Sequence, residues 1–367
     1  MAAGDLFAPC HVAGLALRNR IVMAPMTRSQ APGGVPTAAV AAYYARRAAA
    51  GVGLIITEGT GIDRPGALDD PGVPRFWGDD ALAGWSAVVE AVHGEGGRIM
   101  PQLWHVGAHA GRKASWRDDD PRIESPSGYN APERPMGHPM DDAAIADTIA
   151  AYARAAGEAE RLGFDGVEVH GAHGYLIDQF LWTATNLRTD RYGGASIAER
   201  SRFAVDVVAA IRAAVSPGFP IVFRFSQFKQ QDYSTLLAGT PDELAALLTP
   251  IANAGADVFH ASQRRFWEPA FAGSSLNLAG WAKAVTGRPT ITVGSVGLSG
   301  EFQANWKGDV SQPASLDSVR ERLDQGEFDL VAVGRALLED HLWARKAAAG
   351  DSAAMRPFTI EALDTYY

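Results

Sequence analysis

Eight short runs of consecutive apolar residues punctuate the sequence, and each precedes a stretch with helical patterning. The runs are IVMAP (21–25), LIITEG (54–59), RIMPQLW (98–104), GVEVH (166–170), PIVFRF (220–225), DVFHA (257–261), TITVG (290–294) and DLVAVG (329–334). Helices are expected over 37–50, 80–93, 142–162, 197–215, 241–254, 276–286, 315–324 and 335–347. The runs are apolar on both faces, as parallel strands covered by helices must be. Phe203, Val207, Ile211 and Val215 recur every four residues and mark one buried helix face. Thr240-Pro241-Asp242-Glu243 reads as an N-cap, a first-turn proline and a capping-box glutamate. Gly163 after Leu162 suits a left-handed helix stop.

Eight strand–helix units favour a (β/α)₈ TIM barrel over an open doubly wound sheet. No residue-level repeat or linker interrupts the pattern, so residues 1–367 are expected to form a single α/β barrel domain. The segment before Asn19 is expected to cap the end of the barrel opposite the active site. Two connections are long, 105–140 after the third strand and 295–314 after the seventh. In a barrel, the loops after the strand C-termini build the active site.

Composition narrows the class. A net charge of −9 argues against a nucleic-acid footprint, which needs clustered basic charge. The only cysteine, Cys10, rules out a disulfide framework, a Cys-rich zinc site and an iron–sulfur ligand set. No basic region followed by an apolar segment opens the chain, and no apolar run reaches transmembrane length. A soluble cytoplasmic enzyme with no membrane partner is the expectation.

The strand ends collect polar groups: Pro25 and Thr27, Glu58 and Gly59, Gln102, Trp104 and His105, His170 and His173, Arg224, His260, Gly294 and Ser295, Gly334 and Arg335. Gly294, Ser295, Gly334 and Arg335 fit the common barrel phosphate site, where backbone N–H groups, a helix start and a cation converge on one anion. The plainer reading of the last pair is a helix start with a surface arginine. Alternation in PIVFRF points Arg224 into the barrel, where it needs an anion. That anion is either a strand carboxylate, Glu58 or Glu168, or a cofactor that turns anionic during turnover. His170, His173 and Tyr175 fall within six residues. With His105 and His260 the histidines could hold a metal in a barrel hydrolase. The His-x-x-His spacing, and no acid after the eighth strand, favour instead a hydrogen-bonding clamp with an acid beside it.

Along nearly its whole length the chain resembles the old yellow enzyme family of FMN-dependent ene-reductases. The match lies in VEVHGAHGYLIDQFLWTATNLRTDRYGG (167–194), NRIVMAPMTRSQ (19–30), YYARRAAAGVGLIITEGT (43–60), QLWHVGAHA (102–110), the FRFS of the fifth strand and VAVGRALLEDHLWARK (331–346). The resemblance implies non-covalent FMN, with NAD(P)H as reductant and NADPH slightly favoured. It places Thr27 at the flavin O4 region, Gln102 at the pyrimidine edge and Arg224 at N1 and O2. Pro25 and Gly59 would give backbone contacts, and Gly294, Ser295, Gly334 and Arg335 would hold the phosphate. His170 and His173 would grip the oxygen of an activated alkene, Tyr175 would protonate its α-carbon, and Trp104 would line the substrate pocket. His173 stands where many members carry asparagine. The tail MRPFTIEALDTYY lacks the arginine that some members insert into a neighbour's site, so a monomer or homodimer with unshared sites is implied.

Overall fold

The computed structural model describes residues 5–109, 111, 114 and 117–366. Ala110 of the QLWHVGAHA motif, positions 112, 113, 115 and 116 of the long third connection, residues 1–4 and Tyr367 lie outside that description. Eight parallel strands close into a barrel in chain order. They are β1 (Ile21–Met23), β2 (Leu54–Gly61), β3 (Arg98–Trp104), β4 (Val167–His170), β5 (Ile221–Ser226), β6 (Val258–Ser262), β7 (Thr290–Val293) and β8 (Leu330–Val333).

The expected alternation in β5 is present. Ile221, Phe223 and Phe225 join the core between sheet and helices, while Val222 joins the barrel interior. That interior has a floor. A hairpin of Cys10–Val12 and Leu15–Leu17 packs Cys10, Val12 and Leu17 against Leu54, Val222, Val258, Ile291 and Leu330, early inward-facing residues of their strands. The capping segment expected before Asn19 is this hairpin.

The expected helices form, with local corrections. The 197–215 stretch breaks at Ser201 into Ile197–Arg200 and Arg202–Ala214. The 335–347 stretch breaks at Asp340, whose carboxylate accepts the Leu342 amide and pairs with Lys346, turning the chain. Thr240 caps Pro241–Ala254 as expected, but the Glu243 carboxylate accepts from Gly239 rather than closing a capping box. A six-residue helix, Leu176–Leu181, was not anticipated and follows directly on the histidine turn. The C-terminal tail folds back onto its own chain: Tyr366 stacks on Tyr43, and Arg28 donates to the carbonyls of Ala362 and Thr365. Among the described residues no helix is long and apolar enough to cross a membrane.

Candidate active site

Strand register assembles the site at the C-terminal mouth. His170, Arg224 and His260 sit side by side on β4, β5 and β6. On β3 and β4, Gln102 pairs in register with Glu168. Gln102 Nε2 donates to Glu168 at 2.7 Å, and His260 Nδ1 donates to the other carboxylate oxygen at 2.6 Å. Glu58 is also committed: its carboxylate accepts the Arg28 and Ser29 amides. It thus ties down the loop that carries Thr27, and burial pushes its carboxyl up to about 7.

Arg224 is the consequence of these commitments. Among the described residues no carboxylate stands within ion-pair distance of it. Among those residues its one hydrogen bond runs to Ser262 Oγ at 3.4 Å, and its Nε has no partner. Both strand carboxylates proposed as its counter-ion are occupied elsewhere. A buried guanidinium held this loosely is costly unless an anion meets it.

Four rings close over this layer. Trp104 stacks on His170 at 6.0 Å and meets Tyr175 edge-on at 4.8 Å. His170 lies 5.0 Å from Tyr175 and 5.2 Å from His173, edge-on in both cases. Gly59 makes room for this group, since a Cβ there would sit 2.4 Å from the Trp104 ring. His173 adopts a left-handed backbone (φ 68°) that few side chains favour. The turn is held by its neighbours: Ser226 Oγ accepts the His173 amide, and Asp178 accepts the Gly174 amide.

Burial pushes both imidazoles well below their usual range, and the Arg224 charge adds to the effect. Each is therefore neutral at pH 7 and carries one N–H, whose position its partners decide. His170 Nδ1 accepts the Ala172 amide, leaving the proton on Nε2. Ser262 accepts from Arg224 and can in turn donate to His173 Nε2 at 2.9 Å, leaving that ring's proton on Nδ1. Sequence reasoning missed Ser262, which looks like an ordinary strand-end serine.

The metal alternative loses His105, whose two ring nitrogens are spent on Glu124 and the Gly107 amide, whereas His260 binds Glu168 through Nδ1 alone. Among the described residues no group of three or more His, Cys, Asp or Glu side chains is placed to hold a metal ion.

At the neighbouring strand ends, Arg335 donates to Ser295 Oγ at 2.9 Å, to the Gly300 carbonyl at 2.7 Å and to Asn305 and Ser311. Gly294 (φ 150°) and Ser295 (φ 51°) turn the chain beside it. Gly334 caps the short helix that Arg335 opens. The four residues expected at a phosphate site are thus drawn from the ends of β7 and β8. Pro25 is half-buried and Thr27 exposed near the end of β1. The polar set suits FMN: a loosely held buried cation, His260 Nε2 in register with it as an acceptor and Trp104 Nε1 as a donor, neither with a hydrogen-bond partner among the described residues, and a second cation on a serine–glycine turn.

Residues 5–353 match the NADH:flavin oxidoreductase / NADH oxidase family. The chain belongs to the old yellow enzyme family. Among relatives within it, 12-oxophytodienoate reductase 7 of Oryza sativa subsp. japonica is 41% identical over 226 residues, 57% of this chain and 55% of that protein. The NADH oxidase of Thermoanaerobacter brockii is 32% identical over 370 residues, 96% of this chain and 52% of that protein. The chain spans about half the length of these old yellow enzyme relatives. Among solved structures, morphinone reductase in complex with tetrahydroNAD superposes with a TM-score of 0.80 at 28% identity, covering 98% of this chain and 94% of that one. The old yellow enzyme homologue of Zymomonas mobilis gives 0.79 at 27% identity, covering 98% and 96%.

Proposed function

We propose that this chain is an FMN-dependent NAD(P)H oxidoreductase that reduces activated C=C bonds in α,β-unsaturated ketones, aldehydes and nitroalkenes. The observation that carries this reading is Arg224, a buried cation without a carboxylate partner among the described residues, in register with a histidine that touches Tyr175. Pro25, Thr27, Gly59, Gln102 and Arg224 would hold the flavin ring, and Gly294, Ser295, Gly334 and Arg335 its phosphate. FMN, when bound, supplies the hydride that NAD(P)H replenishes.

The protein's own groups do the rest. His170 Nε2–H and His173 Nδ1–H donate to the carbonyl or nitro oxygen. That oxygen gains negative charge as the β-carbon accepts hydride, so fixed donors act most strongly in the transition state. Neutral imidazoles suit this task, because they polarise the oxygen without handing it a proton. Tyr175 gives its proton to the α-carbon, and Trp104 walls the pocket beside it. Reductant and alkene take turns at one mouth.

The decisive experiment is an anaerobic visible spectrum of the FMN-loaded protein. A flavin band should bleach with NADPH and return with 2-cyclohexenone. A protein that binds no FMN, or a reduced flavin indifferent to the enone, would sink the reading. Arg335→Ala should weaken FMN binding about 10- to 100-fold, the worth of one charge-assisted hydrogen-bond set. Fluorescence titration of FMN measures this, and equal affinity removes Arg335 from the phosphate site.

A further inference from the structure

We propose that Gln230 is the positioning residue of the proton donor: its side-chain amide orients the Tyr175 hydroxyl towards substrate and steadies the phenolate left behind. The inference rests on the reading of Tyr175 as the donor. Gln230 Nε2 lies 3.0 Å from Tyr175 Oη and donates to it. An amide N–H₂ cannot accept, so the phenol oxygen is the acceptor here. No hydrogen bond among the described residues takes up the phenol's own O–H. That proton is left for the substrate.

The loop that carries Gln230 is fastened on both sides of it. Lys229, fully buried, pairs with Asp178 of helix Leu176–Leu181 at 2.5 Å. The chain at Lys229 bridges to His173, and the Gln230 amide donates to the His173 carbonyl. Gln231 Nε2 donates to the Gly174 carbonyl. Phe228 stacks on His173, and Tyr233 on Phe228. Gln230 itself is exposed, so none of these contacts explains a glutamine at that position.

In the step concerned, the Tyr175 O–H bond breaks and a C–H bond forms at the α-carbon with the enolate's electron pair. The phenolate regains its proton from solvent water. Burial raises the phenol's pKa, and the Gln230 hydrogen bond is the largest opposing influence. A hydrogen bond to a charged acceptor is roughly twice as strong as one to a neutral acceptor, so Gln230 favours the phenolate over the phenol. The other groups that act on the phenol are Asp69, Tyr233 and Arg224 through their charge, and His109 and His170 pack against its ring.

The test uses the FMN-loaded enzyme under anaerobic stopped flow, with NADPH reduction and 2-cyclohexenone reoxidation followed separately. Gln230→Leu should slow reoxidation about tenfold, spare reduction, and add nothing in a Tyr175→Phe background. Gln230→Glu should be slow at pH 8, where its carboxylate would hold the Tyr175 proton. It should recover as pH falls and the carboxylic acid becomes a donor again. The groups named above are common to both proteins, so the difference in pH profile reports residue 230 alone. Wild-type reoxidation in Gln230→Leu, an equal further loss in Tyr175→Phe, or a Gln230→Glu profile parallel to wild type would each overturn the proposal. Wild-type reoxidation in Tyr175→Phe itself would instead overturn the donor assignment beneath it.

Discussion

Tyr175→Phe is expected to reduce normally with NAD(P)H and to reoxidise with a cyclic enone about 10²- to 10⁴-fold more slowly, the usual worth of a positioned general acid. The ring is 8% exposed and packs edge-on against Trp104 and His170. It also shares an apolar cluster with Val73, Val106, Ile123 and Met136. Phenylalanine keeps all of that packing and loses only the hydroxyl. Delivery of hydride to the flavin calls on no phenol, so the two half-reactions should separate cleanly. Burial lifts the Tyr175 pKa well above the ordinary value of 10. The wild-type reoxidation rate should therefore show no alkaline loss from this group below pH 10. Stopped-flow traces for both half-reactions check the assignment, and an unchanged reoxidation rate would remove it.

Lys229→Met is expected to destabilise the protein by about 3–5 kcal/mol, the usual cost of stranding one member of a buried ion pair. Both side chains of the Lys229–Asp178 pair are fully buried, and Asp178 also receives the Gly174 amide. Without the ammonium, the carboxylate keeps its burial cost and loses its countercharge. Burial already raises the Asp178 pKa, so the orphaned group should take up a proton. The loss should then shrink as pH is lowered through that titration. The double variant Lys229→Met/Asp178→Leu should recover much of the loss, since removing both partners spares the stranded charge. Urea midpoints of the three proteins decide it. A single variant as stable as wild type would mean that water reaches the pair.

The barrel was legible because its strands declare themselves locally. Runs such as LIITEG and PIVFRF are apolar on both faces, and the β5 alternation alone sent Arg224 inward. The histidine turn stood out because polar rings at a strand end have no packing reason to be there. What stayed hidden depends on distant partners. Whether Arg224 met Glu58 or Glu168 could not be read from spacing, because the outcome turned on Arg28, Gln102 and His260 claiming those carboxylates first. Lys229 in FKQQDY looks like a solvated loop lysine, yet its ammonium donates to an aspartate 51 positions earlier. The LIDQFL helix is too short to show a periodicity, and its polar residues Asp178 and Gln179 are wholly buried.

The hairpin under the barrel has a kinetic consequence. With Cys10, Val12 and Leu17 filling the amino end, a molecule in the proposed pocket would arrive and depart through the mouth. On the proposed function, dinucleotide and alkene would compete for that one doorway. Double-reciprocal plots at varied alkene should give parallel lines, and an excess of either reactant should throttle turnover by blocking the other's entry.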